Sequence, residues 1–460
     1  MNALLAAGGQ SVLILILIFW FFFVAASLAE GQGRAVRRSI GVLGLIAGIN
    51  VLLYSLPERA GNWGFGLVLA LTAAVLLFFL LSPRPRRALE IVGRPRRIDE
   101  RDVIFARFDL RPGSPGFIEY YGRRPQYEEK DASIRKIPDV LSAPHQKKSP
   151  LLFSLASAEF DFLEHLLSRV IGEEEASTAL SVNLSPRQNS AFLKDIVRYL
   201  GADDCGITPL NPDFVYSHVG RGPEPHGSEI VLEHRFAVAF AVEMDTAMVA
   251  AAPDAPVIVE TGKQYVEAAR IAIVLADFLR RLGYPARAHI AGSNYQVMLP
   301  PIAWEAGLRE LGRLGVLITS KHGPRARLGL VTTDFPLEPD RPTVFGAQDF
   351  CSRCLKCALN CPARAIPSGD RTLENGIRRW VIDRERCYEF WRRTGTDCAV
   401  CLAVCPYSHP ASPFHRLIRG AASVSRPLQS VFSWADRFFY GEGLHRRQRG
   451  WTGRLPGPNS

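Results

Sequence analysis

Apolar residues are spread unevenly along this chain. Three long runs, Ser11 to Ala29, Ile40 to Leu56 and Phe65 to Ser82, carry almost no charge and fill most of the first ninety residues. Each is close to the roughly 20 residues a helix needs to cross a bilayer core. A soluble helical hairpin rarely lacks charge along its whole length, so residues 1–90 are expected to form a membrane anchor of three transmembrane helices.

Beyond Ser82 the material changes. Pro83-Arg84-Pro85-Arg86-Arg87 and Gly93-Arg94-Pro95-Arg96-Arg97 read as a juxtamembrane linker, and residues 91–150 show no clear period despite Tyr120, Tyr121 and Tyr127. From Leu151 to about 345 the pattern is that of a mixed α/β domain. Ala237 to Val242 and Pro256 to Val259 read as short buried strands, and Arg327 to Thr333 as a third. Thr261 to Arg281 reads as a helix: Thr261 can cap it, Val266, Ala269, Ile273 and Ala276 recur at helical spacing, and Gly283 can stop it. A second helix is expected from about Trp304 to Leu311. No fixed-period repeat is visible, and no G-x-G-x-x-G supports a dinucleotide fold.

Charge adds an orientation. Arg34, Arg37 and Arg38 stand in the first loop, only Glu58 and Arg59 in the second, and Arg84, Arg86, Arg87, Arg94, Arg96 and Arg97 after the third run. Positive residues mark the cytoplasmic side, so the N-terminus is expected outside and everything after Ser82 inside. Met1 to Gln10 carries no basic region and no paired arginines, which agrees with a multi-pass protein of the bacterial inner membrane whose globular part faces the cytoplasm. The net charge of +10 is concentrated near the membrane. Anionic lipid is therefore the expected surface partner, and a nucleic-acid partner is not supported.

The cysteines carry the chemistry. Cys351, Cys354, Cys357 and Cys361-Pro362 follow the bacterial ferredoxin spacing C-x2-C-x2-C-x3-C-P, in which three thiolates serve one cluster and the fourth turns to another. The second half, Cys398, Cys401 and Cys405-Pro406, lacks a leading cysteine because Gly395 stands in its place, and Cys387 is the replacement. Two [4Fe–4S] clusters are expected in a ferredoxin-like domain over 346–415: one on Cys351, Cys354, Cys357 and Cys405, the other on Cys361, Cys387, Cys398 and Cys401. A zinc site needs only two C-x2-C pairs and leaves Cys361 and Cys405 unexplained, while disulfides do not suit a reduced compartment. Cys205 reads as an inert buried thiol. Residues 416–460 are expected to pack on the core as a tail.

A longer series of motifs points to a family. Phe278-Leu279-Arg280-Arg281-Leu282-Gly283-Tyr284, Glu305 to Thr319, Gly323-Pro324-Arg325-Ala326-Arg327, and Thr333-Asp334-Phe335-Pro336-Leu337 run directly into the cysteine motif, and Phe438-Phe439-Tyr440-Gly441 closes it. This order resembles the corrinoid-dependent reductive dehalogenases, relatives of the epoxyqueuosine reductases, over roughly residues 180–440. The resemblance implies a nitroreductase-like α/β domain that binds cobalamin, followed by the two-cluster domain. It also implies that Tyr265 donates a proton, that Arg327 steadies its phenolate, and that Asn294 contacts the substrate or the tyrosine. A phenol beside a guanidinium is a usable acid on general grounds. The substrate would be a small organohalide and the electron donor a quinol, ferredoxin or flavodoxin. Relatives in respiration carry an export leader and dock on a separate membrane protein, whereas this chain has three spans fused in front. No Asp-x-His-x-x-Gly is present to supply a lower cobalt ligand. Two other readings stay open: a corrinoid iron–sulfur reductase of epoxyqueuosine type, and a membrane-bound ferredoxin that only relays electrons.

Overall fold

The computed structural model describes residues 2–85, 89–171, 184–292, 295–444 and 451–452. Arg86, Arg87 and Asn294 therefore lie outside the described residues. The three apolar runs form helices α1 (Asn2–Ala29), α2 (Gly33–Ser55) and α3 (Glu58–Leu81). Each contains a stretch of 23 or 24 residues long and apolar enough to cross a membrane. Their large side chains point outward: Phe21, Phe22, Leu80 and Leu81 are all exposed, as a lipid-facing surface requires. Small residues let α1 and α3 approach closely. A β-carbon on Gly9 would lie 1.9 Å from the Phe65 carbonyl oxygen, so only glycine fits there.

Between residues 100 and 135 the chain forms short helices, Ile104–Asp109, Pro115–Arg123 and Glu128–Arg135. The sequence shows no period there because elements of six to nine residues are too short to repeat one. Polar anchors hold them: the Tyr120 hydroxyl donates to Asp102 at 3.1 Å, the Tyr121 hydroxyl to Asp131 at 2.9 Å, and Arg107 pairs with Glu385 at 2.7 Å.

The α/β region is built on a four-stranded antiparallel sheet. Its strands are β1 (Asp204–Pro209), β2 (Phe236–Glu243), β3 (Ala286–His289) and β4 (Ala326–Thr333), in the order β1-β2-β4-β3. Alternation along β2 sends Val238, Phe240 and Val242 to one face and Ala237, Ala239 and Ala241 to the other. Four helices accompany the sheet: α4 (Pro150–His165), α5 (Pro186–Tyr199), α6 (Pro256–Arg281) and α7 (Leu299–Glu305). Ala269, Ala272 and Ala276 of α6 cover the first face, and Ile302 and Ala303 of α7 cover the second.

Two expectations are corrected here. Pro256 to Val259 is not a strand but the first turn of α6, with Pro256 at a position where a missing N–H costs nothing. Thr261 consequently lies inside the helix and does not cap it. The helix expected over Trp304 to Leu311 lies earlier, opened by Pro300 and Pro301 in its first turn, and Glu310–Leu311 is a short strand. The strands expected at Ala237 to Val242 and Arg327 to Thr333 are present within β2 and β4.

After the sheet come the helices α8 (Ala347–Cys354), α9 (Lys356–Leu359), α10 (Arg384–Thr394), α11 (Val400–Ala403), α12 (Pro413–Val424) and α13 (Arg426–Tyr440). The chain divides into two compact units. One comprises residues 1–87, 345–354 and 409–443, and the other residues 88–344, 355–408 and 444–460. In the first, Phe439 packs with Phe23 and Ala35, Gln429 donates to the Gly346 carbonyl at 3.0 Å, and Arg426 pairs with buried Asp349 at 3.2 Å. The segment 409–443 thus belongs with the three apolar helices and α8.

Candidate active site and iron–sulfur ligands

Tyr265 projects from the third turn of α6, and Arg327 from the start of β4, where it sits opposite Val242 of β2. The guanidinium carbon of Arg327 lies 4.9 Å from the centroid of the Tyr265 ring, a cation–π distance. Arg327 is held in that pose from its other side. Its Nη2 donates to Asp397 Oδ2 at 2.5 Å and to Thr261 Oγ1 at 2.6 Å, and the Thr261 hydroxyl donates to the same carboxylate oxygen at 2.6 Å. Burial works against the Arg327 charge, but Tyr265 and Asp397 outweigh it and push the guanidinium pKa up. Burial also pushes the Asp397 carboxyl up, with Arg327 and Thr261 pulling it back.

Polar capacity is left over. Arg327 Nε, Asp397 Oδ1 and Glu159 Oε2 are buried and have no hydrogen-bond partner among the described residues. Glu159 stands on α4 against Gly262, one helical turn before Tyr265, and burial together with the nearby Glu260 charge raises its pKa to about 7. Tyr295 lies on the neighbouring loop. Its phenol is pushed up by burial and by Tyr265, against the pull of Arg221 and Arg327. Arg221 donates to the carbonyl of Gly292 at 3.1 Å, the last described residue before Asn294. Asp397, Glu159, Tyr295 and Arg221 were not singled out by sequence reasoning, and Thr261 was read only as a helix cap, not as a site residue. Only Asp397 had a local signal, its position directly before Cys398.

Four cysteines come together in the same unit. Cys387 projects from α10, Cys398 and Cys401 flank the start of α11, and Cys361 follows α9. None is in a disulfide. Burial pushes the Cys387 and Cys398 thiols up to about 12, with neighbouring cysteines adding to the shift, and Cys401 is raised by burial and by Cys398, Cys387, Cys357 and Cys361. The Ala365 amide donates to Cys361 Sγ at 3.3 Å. Crowded, buried thiols that raise one another's pKa are a poor free-standing arrangement and a good one for deprotonation onto iron. The backbone supports that use: Leu355 (φ 57°) and Ala399 (φ 52°) both adopt the left-handed conformation as caps of α9 and α11. The two C-x2-C turns therefore share one local geometry. Of the other ligand candidates, Cys351 and Cys354 stand on α8 of the first unit, and Cys357 and Cys405 in the second unit. Cys205 is buried on β1, with its thiol pushed up to about 12.

Residues 350–409 match the 4Fe-4S dicluster domain. Over 302 residues the chain is 33% identical to a tetrachloroethene reductive dehalogenase of Desulfitobacterium hafniense, covering 55% of this chain and 54% of that protein. An epoxyqueuosine reductase of Aliivibrio fischeri is 29% identical over 194 residues, 36% of this chain and 48% of its own length. Among solved structures, a reductive dehalogenase described as suggesting a mechanism for B12-dependent dehalogenation superimposes with a TM-score of 0.63 at 25% identity, over 78% of this chain and 49% of that one. The chain spans about half the length of the reductive dehalogenases it matches. Its fold is the reductive dehalogenase fold, with a 4Fe–4S domain and three apolar helices at the N-terminus.

Proposed function

We propose that this chain is a membrane-anchored reductive dehalogenase that uses cobalamin and two [4Fe–4S] clusters to replace halogen by hydrogen in a small organohalide. The observation that carries the reading is the unbroken sequence Tyr265, Arg327, Asp397, Cys398. It joins a candidate acid, through a cation and its carboxylate, to a candidate cluster ligand. The net reaction takes an organohalide, two electrons and one proton to the hydrocarbon and halide ion. Cobalamin, when bound, supplies the low-valent cobalt centre that such chemistry uses, and the clusters supply electrons singly. The unsatisfied polar atoms of Arg327, Asp397 and Glu159 suit a large ligand rich in amides.

The chain's own residues handle the proton. Tyr265 donates its phenolic hydrogen to the carbon that loses halide. Arg327 holds a positive charge over the ring and favours the phenolate left behind. Thr261 and Asp397 fix the guanidinium, and Asn294 is assigned a contact with substrate or phenol. One cluster is assigned to Cys361, Cys387, Cys398 and Cys401, and the other to Cys351, Cys354, Cys357 and Cys405. The arginine distribution supports a catalytic part on the cytoplasmic face. Because the chain resembles epoxyqueuosine reductase more weakly and carries three apolar spans, dehalogenation is the better-supported corrinoid reaction.

Anaerobic purification from corrinoid-supplied cells tests this reading. About eight irons per chain are expected from two four-iron clusters, with one cobalt and reductant-dependent halide release. Iron without cobalt, and no halide release, would leave an electron relay.

A further inference from the structure

Within the anchor unit, the start of α2 and the end of α13 line an open cleft of about 520 Å³, the size of a small-molecule site. Its lining includes Arg34, Arg38 and Arg437, with Trp434, Phe438 and the single carboxylate of Glu442. We propose that this cavity binds the head group of an anionic phospholipid.

Three guanidiniums against one carboxylate select an anion, and planar guanidinium forks match phosphate oxygens. The cavity also lies where such a ligand is available. Arg34 and Arg38 occupy successive turns of one face of α2, just after α1 ends at Ala29, at the boundary between the first two apolar spans. Gln32 makes no side-chain hydrogen bond to the first turn of α2, so the positive end of that helix adds to the same field. The walls suit the interface between lipid and water. Trp434 is 63% exposed and stacks on Phe438 with centroids 5.3 Å apart, and the Arg38 guanidinium lies 4.7 Å from the Phe438 ring centroid. Indole at this depth is the usual anchor of a membrane boundary. The cavity is also linked to the redox segment: Arg437 donates to the backbone carbonyl of Cys354. An occupying phosphate therefore braces the peptide that presents a candidate cluster ligand.

The inference rests on reading the three helices as membrane spans, and the test separates the two. The full-length protein is placed in nanodiscs of phosphatidylcholine with a minor fraction of phosphatidylglycerol, and retained lipid is measured by native mass spectrometry. About one phosphatidylglycerol per chain should survive delipidation, with R34Q/R38Q reducing retention on the order of tenfold. A W434A variant, which leaves every arginine in place, should weaken retention less, and iron content should be unchanged in both. Equal retention by wild type and R34Q/R38Q would overturn the site while leaving the anchor intact, as would displacement by millimolar inorganic phosphate, which marks a free-anion site. Failure to enter the discs at all would remove both anchor and site.

Discussion

Arg327 meets its partners across long stretches of chain: Thr261 lies 66 positions away and Asp397 lies 70. Removing the phenol in Tyr265→Phe should cost turnover about 10²–10⁴-fold, the usual worth of a general acid, with iron and corrinoid content unchanged; a rate within a few-fold of wild type would take Tyr265 out of the reaction. Arg327→Lys keeps the charge but loses the fork that reaches Thr261 and Asp397 together. Its turnover should fall and its pH–rate profile shift, whereas a purely structural role would leave the profile in place. The cysteine pattern was legible because a C-x2-C turn carries a local signal, whereas Arg327 was reached only through the family resemblance. Asp397 was not legible, since a loop carboxylate shows its purpose only when the fold brings an arginine to it. Gly395 gains a reason as well. It ends α10 at φ 82°, and a β-carbon there would lie 2.4 Å from the His145 ring. Gly395→Ala should therefore lose at least about 1–2 kcal/mol from backbone strain alone, read as a lower thermal midpoint.

Helix α6 shows where pattern reading fails. Pro256, Val257, Ile258 and Val259 are all buried, and a short β-branched run buried on every side looks the same in a strand or a helix. Tertiary packing decided it. Another element-level device is the link between the edge of the sheet and the loop before β4. His322 is buried between Glu243 at 2.8 Å and Asp203 at 3.4 Å, and Arg325 also meets Glu243 at 3.0 Å. Burial opposes the imidazolium, but its pairing with the Asp203 and Glu243 carboxylates prevails and raises its pKa above 6.5. Burial likewise works against the ionised Asp203 and Glu243, and His322 overcomes it and lowers both. The signs define a window. The carboxylate contribution is present above their unfolded pKa values and lost as pH falls through the depressed ones; the His322 contribution is full below 6.5 and lost as pH rises through its folded value. His322→Gln should therefore lower the melting temperature most near pH 5.5 and least near pH 9. Equal losses at both pH values would mean that the histidine is not charged in the fold.

At the scale of the whole molecule, the apolar runs were the most legible feature, because hydrocarbon imposes length and composition together. The association of residues 409–443 with those runs had no sequence signal, since aromatic residues on an amphipathic helix do not say which partner they meet. Two measurements check the arrangement. The chain should stay in the membrane pellet after an alkaline carbonate wash, and a reporter enzyme fused to its C-terminus should be active only on the cytoplasmic side. In the proposed role, confinement to a bilayer also changes the meaning of concentration. Small organohalides are lipophilic and partition into hydrocarbon, so an enzyme bound there draws on a reservoir richer than bulk water. Its apparent KM, expressed against total substrate, should then depend on how much lipid is present, and converge to one value once expressed per volume of membrane.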